Sequence, residues 1–218
     1  MAEELGKITK PAASEFSNGR KLFFVPLVYC PKEAPQEYLQ LYEKYWRQVE
    51  SQLSGLEAKL GKVDRFYHEL VTEGGEAGTK IIKEMNDRAF LLIEVRRDET
   101  AVLEATEDAE ILSEFIDWNR CLSIGLQNKR VFTTVYQGYV EASKKRDEFI
   151  VKRITDTLKE NEIGLFLFTD GHPLQFPADI NVFYVAPPAL DEIKRLIRDD
   201  EAKAAAEANA AEDADKQR

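Results

Sequence analysis

The sequence predicts an α/β fold, layered, with a mostly parallel sheet of about five strands flanked by helices, and three observations predict it. Apolar runs of strand length alternate along the chain with longer segments whose apolar residues recur every three or four positions. Two of those runs, residues 22–29 and 163–169, are apolar almost without a break, the pattern of strands covered on both faces. No linker-like stretch interrupts the 218 residues, so one core is expected over 21–198, with 1–20 as a lead-in and 199–218 as an Ala-rich, acidic tail that is disordered or a fraying helix.

Taken in order, residues 1–20 lack periodicity and carry Pro11, Ser14, Asn18 and Gly19. The run 22–29 reads as a strand, blemished by Pro26, which cannot donate to a ladder. From Pro35 to Leu60, residues Leu39, Tyr42, Trp46, Val49, Leu53, Leu56 and Leu60 form one stripe of a long helix that Gly61 closes. Residues 63–71 read as a second strand, and 72–76 supply turn chemistry. One helix is expected from about Gly78 into the nineties, although 90–93 also satisfies a strand pattern. Residues 101–105 read as a short strand, with Thr106 or Asp108 capping a helix that begins at Ala109.

Helical patterns fill 109–159 with a break near Gly125 to Lys129. Phe115, Trp118, Leu122, Phe132, Val135, Tyr139, Phe149, Ile150, Ile154 and Leu158 are expected to face inward. Residues 163–169 and 180–185 read as strands of the sheet interior, and Pro187-Pro188 opens a last short helix through about Arg198.

Composition narrows the partners. Forty Asp and Glu against 30 Lys and Arg give a net charge of -10, which repels nucleic acid and anionic membrane surfaces. Cys30 and Cys121 belong to no CxxC pair and to no zinc spacing, so buried thiols are their simplest reading. Neither a signal-peptide core nor an apolar run of about 18 residues occurs, and a cytoplasmic setting is expected.

Chemistry is expected at the carboxyl ends of the strands, where open α/β sheets place ligands. That rule selects His68 and Glu69, then Thr106, Glu107 and Asp108, then Asp170, Gly171 and His172. Imidazole and carboxylate serve equally as metal ligands and as proton carriers, so neither a cofactor nor a metal can be named from them. Each also has an ordinary role: a loop histidine bonded to its turn for His172, a core histidine for His68, helix-start acids for Glu107 and Asp108. Arg146 and Arg153, seven apart on one helix face, could clamp an anionic group or stand solvated. Nucleophile-elbow, dinucleotide and P-loop signatures are missing.

Several segments carry a resemblance. The stretch 146–154 (RDEFIVKRI), then Thr157-Leu158, the strand 163–168, His172 and the segment 177–182 (PADINV) together resemble an uncharacterised family of prokaryotic proteins. Residues 101–108 are similar to that family's strand leading into a Gly-Thr-Glu-Ser-like turn, with Ala105 in place of the glycine and Asp108 in place of the serine. The resemblance implies Thr106, Glu107, Arg146, Arg153 and His172 as site positions but no reaction. A strand followed by His is also distantly similar to the TraB and erythromycin-esterase-like groups, which implies a hydrolase.

Two functions stay open. In one the chain is a ligand-binding, regulatory or interaction domain, binding a small molecule in the crevice or docking a partner subunit, a homo-oligomer included, through the long helix at 35–60. In the other Glu107, His172 and Asp170 perform metal-assisted or acid/base hydrolysis of a small, anionic substrate, with Arg146 holding its anionic part and Thr106, Asp108 and Arg153 as further ligand-binding positions.

Overall fold

The fold follows from where continuous apolar runs can be covered on both faces. In a computed structural model, which describes residues 18–98, 100–171 and 174–216, five strands form one sheet in the order β3-β2-β4-β1-β5, every pairing parallel. The strands are β1 (Arg20–Pro26), β2 (Arg65–His68), β3 (Val102–Leu103), β4 (Ile163–Phe168) and β5 (Ile180–Tyr184). The helices are α1 (Gln36–Leu60), α2 (Gly75–Met85), α3 (Asp87–Arg96), α4 (Ala109–Ser123), α5 (Lys129–Thr157) and α6 (Pro188–Lys216). The α/β expectation holds. The expected lead-in lies almost wholly outside the described residues, and so does His172.

Alternate side chains of the strands enter two cores. On one face Phe23, Val25, Phe66, Leu165 and Leu167 meet α1, α2, α3 and α6 through residues such as Tyr45, Val49, Ile82, Ile93 and Leu190. On the other, Leu22, Phe24, Tyr67, Phe166 and Phe168 meet Ile150 and Ile154 of α5. The two strands with the most continuous apolar runs, β1 and β4, are central, and every residue of β4 is buried. Pro26 is tolerated because it ends β1. Its carbonyl accepts from the Tyr45 hydroxyl, and the next amide, Leu27, donates to Phe168 O at 2.9 Å.

Several element readings need correction. The stripe on α1 is buried through Tyr42, Trp46, Val49 and Leu53, joined by Tyr38 and Tyr45, so it docks on the chain's own sheet. Residues 78–96 are not one helix. Buried Asn86 leaves helical geometry, caps α3 by accepting from the Ala89 amide at 3.1 Å, and donates to Val28 O at 3.0 Å. Residues 90–93 are helical. β5 lies at an edge and not in the interior; its alternating burial leaves Val182 and Tyr184 exposed. The last helix does not stop near Arg198 but runs to Lys216, in keeping with the high helix propensity of Ala, Glu and Lys.

The largest departure concerns α4 and α5, which pair with one another as a helical hairpin. Only the second half of α5 meets the sheet, and its buried residues are Ala142, Arg146, Ile150 and Ile154. Beyond that half, among the described residues, the hairpin packs against itself. Phe132, expected inside, is 46 % exposed.

Candidate functional site

Parallel strands bring all their exits to one edge, and the segments after β1, β2, β3 and β4 converge there on the α5 side. Tyr29 leaves β1, Glu69 leaves β2, Thr106 and Glu107 leave β3, and Thr169 leaves β4. Into their midst α5 inserts Arg146. Its Nε donates to Glu107 Oε2 at 2.8 Å and Oε1 at 3.1 Å, and Nη2 donates to Oε1 as well. Nη2 also stands 3.8 Å from Glu69 Oε2. The guanidinium lies 4.7 Å from the centroid of the Phe115 ring and 5.1 Å from that of Phe168. Such faces favour a cation.

The carboxylates are satisfied from every side. Glu69 Oε1 accepts from the Tyr29 hydroxyl at 3.0 Å and from Thr169. Glu107 Oε1 accepts from the Leu70 amide at 2.9 Å, and the Glu107 amide donates to Val71 O. The Leu70 bond is made with that residue at φ 63, a left-handed conformation that a leucine adopts only when its surroundings impose it. Glu107, Arg146 and Glu69 keep 1 %, 3 % and 5 % of their side-chain surface. For Arg146, burial works against the charge, yet the bonds and charge of Glu107, with Glu69, outweigh it and hold the pKa above its ordinary value. Burial first, and then the charge of Glu69, raise the Tyr29 phenol.

The same exit loops tie down the remaining sequence-selected residues. Arg153, two turns along α5 from Arg146, donates from Nε to Ala105 O at 3.0 Å and lies 3.4 Å from Glu104 Oε2. Thus the two arginines do clamp an anionic group, and it is the chain's own segment 104–107. The Thr106 hydroxyl accepts from the His68 amide at 3.0 Å. Asp108 caps α4, accepting from the Glu110 and Ile111 amides at 3.0 Å each. Thr106, Glu107, Arg146 and Arg153 are therefore brought together, as the sequence suggested, but each is engaged by protein.

Asp170 stands apart from them. It accepts from the Tyr184 hydroxyl at 2.7 Å, from the Gly171 amide at 3.0 Å and from Lys194. Burial alone would raise its carboxyl, but the bonds from Lys194 and Tyr184 prevail and hold it below the usual range. No group of His, Cys, Asp and Glu suited to a metal ion occurs among the described residues. His68 points into the opposite core. Its Nδ1 bonds the Glu69 carbonyl, which can only accept, so the proton sits on Nδ1 and the buried Nε2 is left bare. Burial pushes its pKa down to about 4.

Sequence reasoning passed over Tyr29 and Thr169, the hydroxyls that complete the Glu69 site. Thr169 directly follows β4 and Tyr29 closes the apolar run 22–29, three residues after β1 ends, and those positions were their signal.

An accessible concavity lies elsewhere. A groove of about 850 Å³ runs between the second half of α5 and the residues after β4, where Val140, Val151 and Leu174 alternate with Lys144, Asp147 and Asp170. Neither Glu107 nor Arg146 lines it. No helix among the described residues is long and apolar enough to cross a membrane. Comparison of the chain with protein-family models, with curated proteins and with solved structures finds no match.

Proposed function

We propose that this chain is a non-catalytic interaction domain of the cytoplasm, and that its working face is the open side of α5 with the adjoining groove. The observation that carries the reading is the state of Glu107. A general acid or base must reach the proton it moves, and this carboxylate is 1 % exposed, forked by Arg146 and bonded to the Leu70 amide. The position where an α/β sheet holds a ligand is filled by an arginine of the chain itself. The exposed side of α5 is, by contrast, apolar and unoccupied by any other element: Phe132, Tyr136 and Val140 are each close to half exposed.

A photo-crosslinking amino acid placed at Val140 tests this, with Val95 of α3, which is 72 % exposed, as the control on the other side of the molecule. Val140 is expected to give a discrete, saturable adduct that Tyr136→Glu abolishes, and Val95 none. Equal adducts from both positions would end the reading. So would hydrolysis of a small ester or amide that Glu107→Gln abolishes without loss of the fold.

A further inference from the structure

The register of β5 fixes which of its backbone groups look away from the sheet. Val185 N donates to Phe24 O at 2.8 Å, so along the same parallel ladder the backbone groups of Asn181 and Phe183 also turn toward β1. Those of Val182 and Tyr184 therefore turn outward, as does the carbonyl of Ile180, whose amide is already taken by Pro177 O at 3.0 Å. Among the described residues no strand lies beyond β5. Val182 and Tyr184 are accordingly 44 % and 51 % exposed.

Sheet edges are ordinarily blunted by short length, charge, proline or a bulge. The opposite edge, β3, is blunted by its length of two residues. β5 has none of these devices: its sequence INVFY holds no charge and no proline, and its register with β1 runs unbroken from Ile180 to Tyr184. The chemistry of what fits there follows from the groups presented. Donors and acceptors alternating at strand spacing are met by another extended backbone, whereas a helix spends its own backbone groups internally.

Three features match that backbone to a second β5. Laid antiparallel with Val182 opposite Val182 of the copy, each Val182 N–H meets the other's Val182 O and each Tyr184 N–H meets the other's Ile180 O. Every outward donor then finds an outward acceptor, and the Ile180 amide, engaged with Pro177, is not needed. Pro177 and Pro187 stand five residues to either side of Val182, so in this register the two strands run out together at both ends. The acids nearest the edge are already neutralised, Asp179 by Arg20 and Asp170 by Lys194, so a chain of net charge -10 meets its copy along an uncharged strand. On one face the pairing also sets Tyr184 against Ile180 of the copy, an aromatic with a β-branched side chain, which sheets favour.

We propose that a second copy of this chain pairs with this edge, β5 antiparallel to β5 about a twofold axis through the Val182 pair, joining two five-stranded sheets into one. The contact uses no residue of α5, so it stands or falls separately from the interaction reading above. A strand this short falls below the ~800 Å² per partner of a standard interface, which places the dimer in the weak, reversible class.

Sedimentation equilibrium and amide hydrogen exchange on the full chain, from roughly 10 μM to 1 mM, test it across the range of weak dissociation constants. The mass should climb from the 24.9 kDa of one chain toward twice that value. Exchange of the Val182 and Tyr184 amides should slow at least tenfold in step with it. Val182→Pro removes the outward N–H and leaves the β1 ladder its donors, and Val182→Lys sets two like charges at the axis. Each should abolish the dimer with an unchanged circular dichroism spectrum, while Val140→Glu on α5 should leave it intact. A monomer throughout the range overturns the proposal, as does a dimer that survives both Val182 substitutions. Edge amides protected equally at every concentration would mean that the chain covers its own edge, and a dimer lost in Val140→Glu would put the contact on α5; either result also overturns it.

Discussion

Arg146→Ala is the perturbation that separates a structural lock from a poised site. It removes three donated hydrogen bonds to Glu107, the cation 3.8 Å from Glu69, and the contacts with the Phe115 and Phe168 rings. Both carboxylates stay behind with almost no access to water. Breaking a buried pair by deleting one partner costs about 3–5 kcal/mol, and the lost guanidinium–ring contacts account for about 1–2 kcal/mol of that. For a chain of this size each kcal/mol moves the midpoint by about 2–4 °C, so Tm should fall by roughly 10 °C. Urea denaturation and calorimetry read the loss directly. Glu107→Gln keeps an acceptor for the Leu70 amide and should be milder. Combining it with Arg146→Ala should destabilise less than the sum, with a coupling of about 2 kcal/mol. A loss below about 1 kcal/mol for Arg146→Ala, or strict additivity with Glu107→Gln, would refute the lock and return Arg146 to the pool of ligand-binding residues.

Three further outcomes are expected. His68 has its pKa lowered by burial from 6.5 to about 4, so between those values the unfolded chain binds a proton that the native one refuses. The stability present above pH 6.5 is therefore lost as pH falls toward 4, by about 3 kcal/mol; His68→Met should flatten the stability curve in that window, and an unaltered slope would disprove the cause. Gly138→Ala would place a methyl group 2.6 Å from the Trp118 ring, so despite the better helix propensity it should cost about 1–3 kcal/mol and shift Trp118 fluorescence. Leu70→Gly relieves the left-handed backbone at φ 63 and should fall within about 1 kcal/mol of wild type. A loss of more than about 2 kcal/mol, ordinary for truncating a core leucine, would show that its side chain matters more than its conformation.

The continuous apolar runs of β1 and β4 demanded cover on both faces, and the three-and-four spacing of α1 demanded a surface to dock on. A parallel α/β sheet satisfies both, which is why the class was legible from local pattern alone. The strand-exit rule drew attention to Thr106 and Glu107, and the seven-residue spacing from Arg153 on one helix face drew attention to Arg146, because both signals are local in sequence. What each group does there was not encoded locally. Whether Arg146 meets a ligand or Glu107 depends on how far α5 slides along the sheet, and that is set by Ile150 and Ile154 packing against Phe166 and Phe168.

Burial along α5 was undetermined for a related reason. Periodicity states which side chains share a face, but only the tertiary structure decides whether that face has a neighbour. It supplies the sheet to Ile150 and Ile154 and, among the described residues, leaves Phe132, Tyr136 and Val140 about half exposed. β5 likewise read as interior because an apolar run carries no record of its place in the strand order. The sequence by itself determined the class of fold, the central strands, the long helix α1 and the convergence of the strand exits, since these follow from short-range pattern. The strand order, the occupation of the crevice by Arg146 and the exposure of the α5 ridge were decided by long-range packing, because each depends on contacts between segments far apart in the chain.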